Sequence, residues 1–248
     1  MKLICCIMAR DARQTIAEAI GSVVPHVDEV VVCDTGSRDD TAAVAGIAGA
    51  TVHVFPWPEH FAQARNRCVR MQPADRVLVL DADERFVWDG EISFKEWLKL
   101  HTSEDEVCVF PCYHYESASR QLQALTHVER LFSPSSYAYK GKIHETLTPV
   151  SASPTATKQW IQAPCGYFLH TGYSTERQEQ KRRRNIRYLL DAVRDEPDEP
   201  RYHRYLANEY YNGGDYVKSV RHAEAALRLV MSGDEYVRAQ AHYYRIMA

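Results

Sequence analysis

The segment Arg76-Val77-Leu78-Val79-Leu80-Asp81-Ala82-Asp83-Glu84 is an apolar run that ends abruptly in carboxylates. Two Asp residues one position apart, at the carboxyl edge of a buried strand, can hold a hard divalent cation against a diphosphate through oxygen ligands. Taken alone, a solvated turn that caps a helix near Phe86 explains the same residues nearly as well. The choice depends on whether the surrounding elements form a nucleotide-binding frame.

The first 84 residues alternate in kind, as parallel α/β sheets do. Leu3 to Met8 is a continuous apolar run suited to a strand buried on both faces. Asp11 as N-cap, Gln14 three residues on, and Ile16, Ala19, Ile20 and Val23 at helical spacing predict a helix that Pro25 ends. Glu29 to Cys33 reads as a second strand, Asp34-Thr35-Gly36-Ser37 as a turn, Thr41 to Ile47 as a short helix and Thr51 to Phe55 as a third strand. Phe61 to Met71 is a helix leading into the carboxylate-ended strand. In such a frame ligands sit at the carboxyl ends of the strands.

Beyond Glu84 the pattern loosens. Glu106 to Tyr115, His127 to Ser133 and Gly166 to His170 read as further strands, the first two as an antiparallel pair. Thr175 and Gln178 can form a capping box, and Ile186, Leu189, Leu190 and Val193 make one apolar stripe on a long basic helix. From Tyr202 the chain reads as helical. Leu206, Ala207, Tyr210, Gly214, Tyr216, Ser219, Ala223 and Ala226 fall at the spacings of one tetratricopeptide unit, with Ser219 where a small alanine is usual, and Ser232 to Ala248 reads as a first helix of a second unit.

The chain has 248 residues and a formal charge of -3, which gives no general pull toward nucleic acid or anionic lipid. Seven cysteines are an odd number, and several lie inside apolar runs where Cys behaves as a small hydrophobe, so no disulfide framework or metal cluster is implied. Met1 to Ala9 is cut short by Arg10 and Asp11, well below the length of a signal-peptide core or a membrane span. A soluble, cytoplasmic protein is the expectation.

Three separated stretches in order carry a family resemblance: Asp28 to Ser37 with Asp39 and Thr41, Phe61-Ala62-Gln63-Ala64-Arg65-Asn66, and Leu80 to Glu84. Together they resemble the family-2 inverting glycosyltransferases of the GT-A fold. The subset with a trailing tetratricopeptide segment fits best, which includes sublancin-type peptide S-glycosyltransferases and lipopolysaccharide-core glucosyltransferases. Ala9-Arg10-Asp11-Ala12 departs from the Lys-Asn-Glu-Glu usual there. The resemblance implies an α/β GT-A nucleotide-diphospho-sugar transferase fold with a mostly parallel, Rossmann-like sheet over residues 1–173. An all-α, tetratricopeptide-like tail follows over 174–248.

The activity it implies is metal-dependent transfer of a hexose from a UDP-sugar to a peptide, protein or lipopolysaccharide-type glycan acceptor, with Mn²⁺ or Mg²⁺ and no nucleic acid partner. The helical tail can serve as a surface for acceptor or for a homodimer. Asp83 is the main expected metal ligand, His170 completes the site, and Asp81 meets the ribose or the metal. Asp34 can accept from a uracil ring nitrogen or a ribose hydroxyl, or can simply stabilise an Asx turn with Gly36. Arg65 is placed to reach nucleotide or diphosphate. Tyr139 to Glu145 resembles the acid-bearing loop that follows the metal strand, with Glu145 as base and His144 as its rival. Tyr173 begins a loop near the donor. Of the cations Arg177, Lys181, Arg182, Arg183, Arg184 and Arg187, Arg177 and Lys181 are first in line for the diphosphate, the rest a solvated face. Two other classes remain open: a sugar nucleotidyltransferase, against which the missing glycine after the first strand speaks, and a non-catalytic nucleotide-sugar binding module.

Overall fold

The computed structural model describes residues 1–116, 119–150, 158–173, 175–230 and 234–248, with side chains described for all of these except 172, 173 and 175–178. The chain divides into two units. One comprises Met1–Lys140 with Glu145–Ser174, the other Gly141–His144 with Thr175–Ala248.

The first unit is built on one large sheet. Strands β1 (Leu3–Ala9), β2 (Glu29–Asp34), β3 (Thr51–Val54) and β4 (Arg76–Asp81) are parallel to their neighbours, in the spatial order β3-β2-β1-β4. The sheet continues through β7 (Leu122–Phe132), β6 (Glu106–Glu116), β11 (Tyr167–Tyr173) and β5 (Glu84–Val87). β4 with β7, β6 with β7 and β5 with β11 are antiparallel, whereas β11 and β10 (Gln159–Gln162) both run parallel to β6. A separate hairpin pairs β8 (Tyr137–Lys140) with β9 (Thr146–Pro149).

Alternation along β1 decides which face each side chain serves. Leu3, Cys5 and Ile7 pack with Ile16, Ala19, Ile20 and Val23 of α1 (Ile16–Val23) and with Phe94, Trp97 and Leu98 of α4 (Phe94–His101). Ile4 and Cys6 pack on the other face with Ala64, Cys68 and Val69 of α3 (Phe61–Val69) and with Leu147 of β9. β1, β2 and β4 are therefore buried on both faces, as central parallel strands must be. A further helix, α2 (Thr41–Ile47), lies between β2 and β3 in the chain.

Two local expectations are corrected. Asp11 does not cap α1: the position before the helix is Thr15, and the Asp11 carboxylate accepts from the Arg38 N–H instead, at 2.7 Å. Glu84 opens a strand rather than a helix, because it pairs opposite His170 of β11.

The second unit contains α5 (Thr175–Asp195), α6 (Pro200–Asn212), α7 (Tyr216–Leu229) and α8 (Glu235–Met247). α5 buries Tyr188, Leu189 and Ala192, while Leu190 of the expected stripe is exposed. Ser219 is fully buried on α7 and its hydroxyl donates to the Ala207 carbonyl of α6 at 2.9 Å, which explains a serine at a position that wants a small residue. No helix among the described residues is long and apolar enough to cross a membrane.

Candidate functional site

Register places the site. Ala9 at the end of β1 lies opposite Asp34 of β2, and Met8 lies opposite Asp81 of β4. Both acids thus stand at the same carboxyl edge, on either side of β1, where the chain order of the sheet switches direction.

Asp34 is 2% exposed. Its Oδ1 accepts from the N–H groups of Gly36 and Ser37 at 2.8 and 2.7 Å, and Gly36 has the φ of +98° that this tight turn needs. Its Oδ2 is buried with no hydrogen-bond partner. A buried carboxylate oxygen left in that state costs free energy unless a donor reaches it, so the turn occupies one oxygen of Asp34 and leaves the other to accept from a donor. The loops after β1 and β2 are buckled together. The N–H groups of Asp11, Ala12 and Arg13 donate to Ser37 Oγ, Thr41 Oγ1 and Asp39 Oδ2 at 2.9, 2.8 and 3.2 Å. Asp39 and Thr41, both part of the sequence motif, therefore shape the loop that departs from the usual pattern.

At the end of β4 a chain of charges forms. Asp81 accepts from Arg65 of α3 at 3.0 Å on one oxygen and from Arg130 of β7 at 2.9 Å on the other. Burial alone would raise its pKa, but Arg130 and Arg65 outweigh this and hold the carboxyl well below the usual carboxylate range. Arg130 also donates to Glu84 at 2.6 Å, and Glu84 accepts from the Asp81 N–H at 3.1 Å. Burial, joined by the Asp81 charge and opposed by Arg130, pushes the Glu84 pKa up. Arg65 reaches Glu145 with its Nε and lies over the Tyr139 ring at 5.6 Å. A cavity of about 280 Å³ is lined by Arg65, Arg130, Tyr139, Glu145, Thr146 and Leu147 among others.

Asp83 stands apart from this chain. Its Oδ2 lies 3.3 Å from His170 Nε2, with the two side chains 29% and 16% exposed. His170 contacts His114 of β6, Nδ1 to Nδ1, at 2.9 Å, and His114 Nε2 lies 2.8 Å from Thr126 Oγ1 of β7. Burial works against a charged His170, but the Asp83 hydrogen bond and the nearby carboxylates outweigh it and raise its pKa.

The structure thus brings Arg65, Asp81 and Glu145 together, joins Asp83 to His170, and sets Asp34 across β1. His144 belongs to the helical unit, where it stacks on Tyr205 with ring centroids 3.8 Å apart. Burial, with Arg204 and Arg184 nearby, lowers its pKa to about 4. Lys181 is exposed on α5. Tyr173 and Arg177 fall among the residues whose side chains lie outside the described ones. Arg130, His114 and Thr126 carry no sequence motif. The one local signal was a lone arginine in the buried end of β7.

Among the described residues no three His, Cys, Asp or Glu side chains form a metal cage. The donor set still fits a divalent ion carried in with a diphosphate, since such an ion takes one or two protein ligands and fills its shell with phosphate oxygens and water. Asp83 and His170 face each other and are both partly exposed, as that requires. Asp81 has both oxygens engaged by guanidinium groups.

Comparison with known proteins adds the following. The family model described as Glycosyl transferase family 2 matches residues 4–153, more than half of the chain. A tetratricopeptide-repeat-containing protein of Synechococcus elongatus is 31% identical over 182 residues, covering 71% of this chain and 43% of that protein. The prophage-derived glycosyltransferase SunS of Bacillus subtilis is 22% identical over 211 residues, 84% of this chain and 49% of that one. The chain thus spans about half the length of the curated relatives it matches. Glucosyl-3-phosphoglycerate synthase of Mycobacterium tuberculosis, solved with Mn²⁺ and UDP-glucose, is 25% identical and superimposes with a TM-score of 0.35 over 48% of this chain and 45% of that one. So partial a superposition carries no argument about the site.

Proposed function

Because the chain belongs to glycosyl transferase family 2, we propose that it moves a hexose from a UDP-sugar, with inversion, onto a peptide, protein or glycan acceptor, with Mn²⁺ or Mg²⁺ at Asp83 and His170. Family membership supports sugar transfer and speaks against the nucleotidyltransferase reading. The observation that carries the finer reading is the partly exposed Asp83–His170 pair at the edge of the sheet that also presents Asp34.

In this reading the Asp34 Oδ2, buried and without a donor, accepts from the uracil ring or the ribose. Asp83 and His170 hold the ion, which when bound neutralises the diphosphate as it departs. Asp81 keeps Arg65 and Arg130 in place rather than touching the ion. The reaction breaks the bond between the sugar C1 and the diphosphate oxygen, which leaves with the electron pair as UDP. An acceptor hydroxyl attacks C1 from the opposite face and its proton passes to a base. We assign Glu145 as that base, beside a cavity that gives the acceptor room. His144, stacked in the helical unit and protonated only near pH 4, is the weaker candidate. The tetratricopeptide-like helices favour a peptide or protein acceptor, and a cytoplasmic site of action and a homodimer through those helices are parts of the same proposal.

Calorimetry of UDP binding with Mn²⁺ and with chelator tests it. Binding that needs the ion is expected, and equal affinity in both conditions removes the metal assignment.

A further inference from the structure

Helix α6 buries a cation that has no counter-ion among the described residues. Arg204 is 6% exposed. Its guanidinium carbon lies 3.6 Å from the centroid of the Tyr205 ring and 5.5 Å from that of Tyr236 on α8. Its Nε is buried without a hydrogen-bond partner, and no described carboxylate forms an ion pair with it. The acids nearest in the chain are engaged elsewhere, Glu199 by Arg201 and Glu209 by Asn185, each at 2.8 Å.

Stacking satisfies only part of such a group. Aromatic rings attract the charge through the face of the guanidinium, whereas its five N–H bonds lie in the guanidinium plane and need acceptors. A buried cation with unpaired donors costs free energy that a bound anion recovers. The walls select which anion. His144 stacks on Tyr205 with centroids 3.8 Å apart, close enough that it must take the face opposite Arg204 and hold that ring in place. Tyr236 is 66% exposed, so it can swing aside to admit a ligand. One turn further along α6, Asn208 has its Oδ1 taken by Tyr244 of α8 and by Asn212, both at 2.9 Å, which leaves its amide N–H groups as further donors on that face. With rings over its face, the guanidinium can be met only edge-on. A planar carboxylate meets it so with two parallel N–H···O bonds, whereas the out-of-plane oxygens of a phosphate would run into the rings. We propose that Arg204, walled by Tyr205 and Tyr236, is a carboxylate-binding site of the helical unit, filled by an acidic residue of a peptide. It depends neither on the metal assignment nor on the identity of the donor.

The Nε–H signal of Arg204 in ¹H–¹⁵N spectra of the full chain, assigned by through-bond correlation, reads the site without any variant. Sodium acetate should shift that signal saturably, while sodium chloride at the same ionic strength and inorganic phosphate should not. Thermal unfolding gives a second readout. Acetate in place of chloride should raise the midpoint of the wild type and leave that of Arg204→Met unchanged, because the variant keeps the bulk of the stem and lacks the fork. N-acetyl-Ala-Glu-Ala-amide then places the carboxylate on a peptide: its glutamine counterpart should bind roughly 10-fold or more weakly, as loss of a charge-assisted pair requires. An Nε–H signal that ignores acetate, or a midpoint that acetate moves equally in both proteins, overturns the site. A shift by phosphate as large as that by acetate overturns the choice of carboxylate, and equal binding of the two peptides overturns the peptide ligand.

Discussion

Arg130 is a buried cation that touches two carboxylates, Asp81 and Glu84, and stands over the Phe168 ring at 5.6 Å. Removing Arg130 leaves Glu84, whose side chain is 4% exposed, charged and dry, at a cost of about 3–5 kcal/mol. Arg130→Met should therefore lower the unfolding midpoint in urea sharply, and a change within error would mean that water already reaches Glu84. Asp83, partly exposed and outside this chain of charges, should behave in the opposite way. Asp83→Asn is expected to unfold at the wild-type midpoint yet lose sugar transfer, and full activity in that variant would place the site elsewhere. Glu145→Gln tests the base. It keeps shape and the contact with Arg65, so UDP affinity should hold while transfer falls by roughly 10²-fold or more. Loss of UDP binding instead would move Glu145 into the donor site. None of the cross-strand partners was legible in the sequence, since Arg130 meets Asp81 over 49 residues and His114 meets His170 over 56. The carboxylates announce themselves by ending an apolar run, but what holds them is decided by strand pairing that no local pattern records.

The elements show the same division. α1 buries the four residues its 3.6-residue spacing selects, and β1, β2 and β4 are the apolar runs that double burial demands. β5 was invisible because four residues become a strand only through pairing with β11, and α4 because its signals are only a Ser93 cap and the buried Phe94, Trp97 and Leu98. Among the helices, α6 and α7 carry a testable liability. His222 of α7 contacts His203 at 3.0 Å and stacks on Tyr210, with Arg221 and Lys218 close by. Burial, then His203, lowers its pKa from 6.5 to about 4, as burial and Arg204 do for His144. Between those two pH values these histidines bind more protons in the unfolded chain than in the folded one, so their contribution to stability is constant above about pH 6.5 and falls as pH drops toward 4. Thermal unfolding of wild type and His222→Gln from pH 7.5 to 5 checks this. The variant should lose less of its midpoint on acidification, and parallel curves would show that His222 protonates freely in the fold.

At the scale of the whole molecule, Asp34, Arg65, Asp81, Asp83 and His170, the residues proposed to serve the donor, all belong to the sheet unit, and the tetratricopeptide-like helices α6, α7 and α8 hold none of them. If the donor and acceptor tasks divide along the same line, ligands should slow amide exchange in different places. UDP with Mn²⁺ binds the folded state and should stabilise it by about 2.7 kcal/mol at a hundred times its dissociation constant. Global unfolding would spread that protection everywhere, so the informative amides are those that exchange by local opening. We expect the loops after β1, β2 and β4, residues 9–13, 34–41 and 81–84, to slow on addition of UDP and Mn²⁺, with no change across 235–248. A peptide acceptor added afterwards should slow amides in α6 to α8. Donor-induced protection confined to the helices would reverse the assignment of roles, and acceptor-induced protection confined to the cavity beside Glu145 would remove the helices from acceptor binding and point to a small glycan.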